Sequence, residues 1–432
     1  MNRLIIVIGG GISGISNAIH LKKNGYSVAI IEKHSRLGGI WANGMANKTS
    51  HLQTPSFFYN FTSGLKWKSI YPYSDEILQR IDSLHKEFSG IEVYLNDEVI
   101  SLVTGTPEHT VLTKNGLTFK CMGIVIATGI HQFPHSPSYS IKGQGIEKYN
   151  FNQLDIVDPN DKKCVIVGLG ASAVECHRTL INRNPKSITF ITRKPRWIYP
   201  NNFIYSLVSF LPLAKPGQLV DKLVHNHLKR FYKKKGLIAI EPIGSPAETA
   251  PGSISSFFFK SLQKVRSEFF VNAEVVKSED KKVYLSNGII INDVDIIIFC
   301  TGWSNVKFPF ICDEKLKSGI NQCQEFGYFY LHEFVPGYDS IIFSNYKSGI
   351  GYTGFAPYLS SMLIQCSLEV KNSMPSEKEQ WNWIENESKR WKKSPKTFQF
   401  INMFESVKEI FIFFSSKEVR PWLFKKFIKR TF

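Results

Sequence analysis

The sequence predicts an α/β fold of two doubly wound parallel-sheet units, the second inserted into the first. Two observations carry this. A continuous aliphatic strand, a glycine loop, a helix and a second strand occur in that order at residues 4–32 (LIIVIGGGISGISNAIHLKKNGYSVAIIE) and again at 163–193 (KCVIVGLGASAVECHRTLINRNPKSITFITR). Each copy is then followed by shorter alternating stretches with turn signals, and by an aliphatic strand ending in Thr-Gly. Unbroken Ile/Val runs suit strands buried on both faces of a parallel sheet; period-two alternation suits half-exposed antiparallel strands.

Taken in order, the first unit opens at residue 4 and reaches its second strand at SVAIIE. Residues 91–129 (IEVYLNDEVISLVTG, then HTVLTKNGLTFKCMGIVIATG) read as an antiparallel excursion that returns to the buried strand GIVIATG. The second unit starts at KCVIVG, and residues 269–303 repeat the excursion and end in FCTGW. The boundaries expected are 1–157 for the first part of the first domain, 158–294 for the inserted domain and 295–374 for the return to the first. Residues 375–432 form a helical, aromatic and basic tail.

Bulk composition fits this reading. Of 432 residues, 43% are apolar and 21% charged, as in soluble globular proteins. No apolar run approaches the roughly 20 residues needed to cross a bilayer. The apolar stretch in MNRLIIVIGG is too short for a signal peptide and runs directly into the glycine loop. The seven cysteines form no CxxC pair, which argues against a disulfide framework, a zinc site or a dithiol redox centre. A cytoplasmic, reducing setting is expected. The net charge of +17 is uneven: residues 389–432 hold twelve Lys or Arg against three Glu, and HNHLKRFYKKKG at 225–236 is a second cluster. Each reads equally as a solvated face or as an attractor of anionic lipid, nucleic acid or a polyphosphate cofactor.

Gly9, Gly11 and Gly14 spell GxGxxG between strand and helix. The first permits a tight turn, the second lets backbone approach a pyrophosphate, and the third lets helix pack on strand. The N–H groups at the helix start (Ile12, Ser13) face the phosphates. Glu32 ends the next strand, where a carboxylate accepts both ribose hydroxyls and repels a 2′-phosphate. This site therefore suits FAD or NAD. Lys33 follows the acid, and Gly38 and Gly39 let backbone pass close to a bulky ligand. Ile40 and Trp41 come next, Trp41 either walling the pocket or packing in the core.

At the second loop Gly168, Gly170 and Ala173 give GxGxxA, with Ala171 and Ser172 opening the helix; Ser172 can donate to a phosphate. The following strand ends in a base instead of an acid. Arg193, with Lys194 and Arg196, offers a fork for a 2′-phosphate, which suits NADPH. These are Rossmann-like dinucleotide-binding domains whose strand tips carry opposite charge.

With these residues in hand, the sequence resembles the flavin-containing monooxygenases, the class B flavoprotein monooxygenases, over about residues 3–370. The shared features are GxGxxG at 9–14, E-x5-GG-x-W at 32–41, and Ala127-Thr128-Gly129 with Pro134. GxGxSA at 168–173, TR-x-PRW at 192–197 and D-x4-CTGW from Asp295 to Trp303, with Thr301 and Gly302, follow in the family's order. The family's identifying motif is altered: in IKGQGIEKYNF (141–151) Gly143 and Phe151 match, but Ile141 and Glu147 replace its Phe and His. In HLQTP (51–55), Gln53 stands where family members commonly carry Asn near the flavin's reactive edge; a buried structural amide is the other reading. The resemblance implies FAD and NADPH as cofactors, and O2 and a small molecule as substrates. NADPH reduces FAD, reduced FAD adds O2 at C4a, and one oxygen passes to a soft nucleophile such as an amine nitrogen or sulfide. It implies Gln53 as a catalytic amide, with Thr54 beside it. The sequence itself offers no Ser-His-acid arrangement, paired catalytic carboxylates or metal-ligand spacing, which suits chemistry carried by a cofactor.

Three questions stay open at this level. The apolar segment 201–223 reads as core, substrate lid or membrane-touching element. The tail, VKEIFIFFSSKEVRPWLFKKFIKRTF, reads as a helix docked on the protein or as a peripheral membrane contact. Nucleic acid is not an expected partner, and oligomeric state is not readable. Competing functions are an NADPH-dependent flavin reductase or oxidase without oxygen transfer, and a flavin-binding protein without turnover.

Overall fold

The computed structural model describes residues 3–62, 65–84, 87–135, 137, 140–141, 145–200, 219–246, 249, 253–304, 306–346, 354–392, 408–423 and 425–426. Two five-stranded parallel sheets organise it. The first contains β1 (Leu4–Ile8), β2 (Ser27–Ile31), β3 (Ile91–Tyr94), β7 (Gly123–Ile126) and β19 (Ile341–Phe343), in the order β19-β7-β1-β2-β3. The second contains β9 (Glu147–Asn150), β10 (Lys163–Val167), β11 (Ser187–Thr192), β14 (Ser267–Val271) and β18 (Ile296–Phe299), in the order β14-β11-β10-β18-β9. The whole second sheet lies in the chain between β7 and β19, so the second domain is inserted into the first.

Each sheet has its antiparallel excursion. In the first it is β4 (Val99–Val103), β5 (His109–Thr113) and β6 (Thr118–Cys121). In the second it is β15 (Val275–Glu279), β16 (Lys282–Leu285) and β17 (Ile290–Ile291), extended by the parallel β8 (Ser140–Ile141). A short pair, β12 (Ile198–Tyr199) and β13 (Ser253–Ile254), completes the strands.

Two expectations are corrected. IEVY at 91–94 is not antiparallel: Ile91 pairs with Val28 and Tyr94 with Ile31 in parallel register. It is not uniformly apolar because it is the sheet's edge strand, with Ile91 buried and Glu92 and Val93 open to solvent. The boundaries at 158 and 294 also move outward. Phe299 pairs with Val167 and Asn150, and Ile296 with Cys164 and Glu147. Both 147–150 and 296–299 therefore belong to the inserted domain. An aliphatic strand ending in Thr-Gly carries no label for its sheet; only its hydrogen-bond partners assign it.

Ile5, Ile6 and Val7 on β1 are fully buried, as the unbroken aliphatic run requires. Helix α1 (Ile12–Lys23) lies between this sheet and the helix Ala356–Glu369, which is why it buries residues around most of its circumference, Ser16 and Asn17 included. Helix α2 (Ser74–Asp82) turns Ile77 and Ile81 inward. Helix α3 (Ala171–Ile181) is its domain's counterpart of α1.

Beyond residue 375 the chain is helical at Glu377–Lys392, at 408–414 and at Arg420–Leu423. Ile384, Ile410, Phe414 and Val419 are buried in the first domain's core. Lys426 pairs with Glu369 at 2.6 Å, and Trp422 Nε1 donates to the same carboxylate at 2.8 Å. The described part of the tail thus docks on its own chain, leaving Phe411 and Ile412 exposed. Most of the apolar segment 201–223 lies outside the described residues. Among the described residues, no helix is long and apolar enough to cross a membrane.

Candidate active site

The two glycine loops are built alike. In the first, Gly9 N–H donates to the Ile31 carbonyl (2.9 Å) and Ala127 N–H to that of Ile8 (2.8 Å). In the second, Gly168 N–H donates to Ile191 (2.8 Å) and Cys300 N–H to Val167 (2.9 Å). Ala127-Thr128-Gly129 therefore stands to the first loop as Cys300-Thr301-Gly302 stands to the second. Glycine is required by contact: a Cβ on Gly9 would lie 2.6 Å from the Ala127 carbonyl oxygen, and one on Gly168 2.3 Å from that of Cys300. Thr301 and Gly302 consequently sit at the second loop, at the end of β18.

Around the first loop the parts converge. Gly38 N–H donates to the Gly10 carbonyl (2.8 Å), which lays the 3-10 turn Gly39–Trp41 over the loop, with a Gly39 Cβ position 2.9 Å from Gly11 Cα. Glu32 is buried at the tip of β2; one carboxylate oxygen accepts from Gly10 N–H (2.6 Å) and the other from His34 N–H (2.9 Å). Each oxygen keeps a lone pair for a hydroxyl. Ile12 is buried in the helix start, Ile40 is half-buried, and Lys33 points to solvent. Trp41 is half-buried, and its Nε1 donates to the buried Tyr59 hydroxyl (2.7 Å). Gln53 and Thr54 are half-buried, and neither side chain hydrogen-bonds a described residue. The Thr128 hydroxyl meets the Tyr346 hydroxyl at 2.5 Å, and Gln132 donates to Thr128 Oγ1 at 2.8 Å.

At the second loop Gly170 has no atom within 4 Å of the place a Cβ would take, so the space beside it is open to a ligand. Ala171 is exposed, Ser172 half-buried, and Ala173 buried against the sheet. Arg193, Lys194 and Arg196 are exposed, and none pairs with a carboxylate of a described residue. The atoms packed round its guanidinium partly desolvate it although the residue reaches solvent, and this, with the neighbouring Arg193 charge, lowers the pKa of Arg196.

The two crossings between domains pair with each other. Pro134 and Trp303 form an antiparallel bridge, His135 N–H donates to the Gly302 carbonyl (2.9 Å) and Ser304 N–H to that of Phe133 (2.9 Å). In the altered motif, Glu147 lies at the second sheet's edge strand, bound to Lys162 (2.5 Å) and Tyr149 (2.6 Å). Phe151 is buried, and Gly143 lies outside the described residues.

Sequence reasoning missed the far wall of the first site. Asn345, just past β19, donates through Nδ2 to Ser13 Oγ (3.1 Å), while its Oδ1 is buried with no partner. Asn17 donates to Ser344 (2.9 Å) and Ser344 to Ser360 (3.0 Å). Glu333 lies wholly buried beside this network, its pKa raised well above the ordinary range by burial. The available signal was that β19 is a parallel strand, and ligands bind beyond the carboxyl ends of such strands.

A profile described as flavin-binding monooxygenase-like matches residues 118–335, just over half of the chain, and one described as pyridine nucleotide-disulphide oxidoreductase matches 6–208. The chain belongs to the flavin-binding monooxygenase-like family. It is 21% identical to human flavin-containing monooxygenase 3, over 98% of this chain and 85% of that protein. It is 28% identical to an uncharacterized CzcO-like oxidoreductase of Geobacillus kaustophilus, over 72% and 85%. Among solved structures its fold is similar to ε-caprolactone-bound cyclohexanone monooxygenase (TM-score 0.74, 14% identity, 94% and 97% covered). It is also similar to OTEMO in complex with FAD and NADP (0.72, 14%, 91% of each). A third is the S-allyl-L-cysteine S-oxygenase of Allium sativum (0.62, 18%, 95% and 88%).

Proposed function

We propose that this chain is an NADPH- and FAD-dependent monooxygenase that oxygenates a soft nucleophile, an amine nitrogen or a sulfide sulfur, of a small molecule. The observation that carries the reading is the opposite charge at equivalent strand tips of two like-built loops: the buried Glu32 carboxylate at one, the unpaired Arg193 at the other. The residues present fit FAD at the first loop. Glu32 keeps lone pairs for ribose hydroxyls, the α1 N-terminus supplies N–H groups for a pyrophosphate, and the orphaned Asn345 Oδ1 awaits a donor. They fit NADPH at the second, with Ser172 and the α3 N-terminus on phosphate and Arg193 on the 2′-phosphate.

FAD, when bound and reduced by NADPH, activates O2, so that one oxygen atom reaches the substrate and the other leaves as water. The chain's share is to bind and orient. Gly9, Gly11, Gly14 and Gly39 let backbone close on the dinucleotide. Trp41 and Tyr59 wall the pocket and keep bulk water back. Gln53 holds an amide, and Thr54 a hydroxyl, toward the reacting edge of the ring; that neither side chain has a hydrogen-bond partner among the described residues supports that role. Phe151-Asn152 at the end of the motif is not the Trp-Pro of the Baeyer–Villiger branch, which favours heteroatoms over ketones as targets.

The test uses purified protein in three arms: a visible spectrum, anaerobic addition of NADPH, and aerobic turnover with amine and sulfide panels scored for N-oxide, S-oxide and H2O2. A yellow protein that bleaches with NADPH and yields oxide stoichiometric with NADPH is expected. A colourless preparation that takes up no FAD overturns the reading, and bleaching with all electrons recovered as H2O2 replaces it by an NADPH oxidase.

A further inference from the structure

The segment just ahead of Gln53 is tied to the other domain along its whole length. Asn47 Nδ2 donates to the Phe151 carbonyl (3.2 Å), and Lys48 N–H to the Asp155 carboxylate (3.2 Å). The Thr49 and Thr179 hydroxyls meet at 2.6 Å. Ser50 Oγ donates to Glu175, and Arg178 donates to His51 Nδ1 (3.3 Å) and to the Tyr73 hydroxyl. On one side of this seam stand residues 47–51 and Tyr73, at the two ends of the loop that carries Gln53 and Thr54. That loop is closed at its base by Ser74 N–H donating to the Ser50 carbonyl (2.9 Å). On the other side stand α3 and the 3-10 turn Phe151–Ile156. The same α3 begins at the second glycine loop. One rigid helix therefore presents its N-terminus to the nicotinamide cofactor and its flank to the flavin-edge loop.

Glu175 is the costly member of the seam. It is 8% exposed, on the helix face it shares with Arg178 and Thr179 one turn along. Burying a carboxyl is unfavourable unless its hydrogen bonds are made. Burial pushes it up to about 7, against the Ser50 hydrogen bond and the Arg178 charge, with Asp155 acting the other way. His51, facing the same guanidinium, is held down to about 4, chiefly by burial. Neither the fold of α3 nor the cradling of phosphate requires an acid at this position.

We propose that Glu175 is a positioning residue: through Ser50 it fixes the loop bearing Gln53 and Thr54 against the nicotinamide-binding helix, so that the two dinucleotide sites stay in register during turnover. The role rests on the monooxygenase reading, because register matters only if electrons pass between the sites.

The experiment compares wild type with Glu175→Ala, Glu175→Gln and Ser50→Ala, all as full-length holoenzyme. Two readouts are taken: amide exchange of residues 47–54 by mass spectrometry without NADPH, and the fraction of NADPH electrons released as H2O2. Loss of this one buried hydrogen bond is expected to speed exchange at 47–54 by about tenfold in both alanine variants. It should raise the H2O2 fraction severalfold while KM for NADPH stays within about twofold. Glu175→Gln, which still accepts from Ser50, should restore both readouts at pH 7 and remove their pH dependence around neutrality. Unchanged exchange and unchanged H2O2 in Glu175→Ala would overturn the proposal. If that variant does not fold, unchanged values in Ser50→Ala overturn it instead. A wild type that forms only H2O2 defeats the monooxygenase reading, and the exchange arm still decides whether Glu175 orders the loop.

Discussion

Replacing Gly14 by alanine tests the first dinucleotide site most directly. The added Cβ would lie 1.9 Å from the Gly9 carbonyl oxygen and 3.1 Å from its carbon, where ordinary contact begins at 3.4 Å. Either α1 retreats from the loop by the missing 1.5 Å (3.4 − 1.9), or the Gly9 peptide turns. Gly9 already sits at φ +107 with its own contact to Ala127, so it has little freedom to turn. Overpacking of this kind costs about 1–3 kcal/mol. At about 2–4 °C per kcal/mol for a domain of this size, Tm should fall by about 2–12 °C. The same displacement moves the phosphate-facing N–H groups, so flavin content, read near 450 nm after gel filtration, should drop to a small fraction of wild type.

Gly170→Ala is the matched control. Nothing lies within 4 Å of its Cβ position, and its φ of −100 suits alanine. Its stability should hold or rise by about 0.4–1 kcal/mol, through the unfolded chain. FAD should be retained, and only KM for NADPH should climb, by about tenfold or more, because the methyl enters the space for the pyrophosphate. A Gly14→Ala protein with full flavin and unchanged Tm, or a Gly170→Ala protein with unchanged KM for NADPH, would refute the assignment of the loops.

Arg193→Ala should raise KM for NADPH by about 10–100-fold, the worth of a charge-assisted hydrogen bond, and leave KM for NADH unchanged; equal effects on both cofactors would remove Arg193 from the 2′-phosphate. Glu175 has a folded pKa raised from 4.5 to about 7, so its contribution to stability is complete below about pH 4.5 and is lost as pH rises toward 7. This amounts to about 3 kcal/mol, and chemical denaturation of Glu175→Gln from pH 5 to 8 should show a correspondingly flatter profile. Of the seven thiols only Cys312 is exposed, and burial pushes Cys121, Cys164, Cys323 and Cys366 up to about 12. A native thiol titration should therefore count one fast-reacting group, and two or more would contradict the packing. Phe414→Ala should cost about 3 kcal/mol, because the ring is 4% exposed in the first core; a loss below about 1 kcal/mol, the scale of an ordinary surface change, would undo the docked tail.

Much of the site can be read along the chain because its determinants are local. The loop from Gly9 to Gly14 and the tip at Glu32 are one βαβ unit, and 168–173 with Arg193 is another; in each the turn, the helix start and the next strand's tip are fixed by short-range geometry. The sequence by itself therefore determines two dinucleotide units, their order, the insertion of one in the other and the sign of charge at each tip. It does not determine which sheet accepts a given aliphatic strand. Residues 91–94 and 296–299 are placed by parallel partners far away in the chain, and their composition suits either sheet. Nor does it show Asn345 against Ser13, or Ser50 against Glu175, contacts spanning 332 and 125 residues. Those pairs carry no periodicity or spacing, since each arises only when segments far apart in the chain pack together. Tertiary structure alone decides them, because the energy that selects such contacts is that of burying polar groups with a partner in place of water.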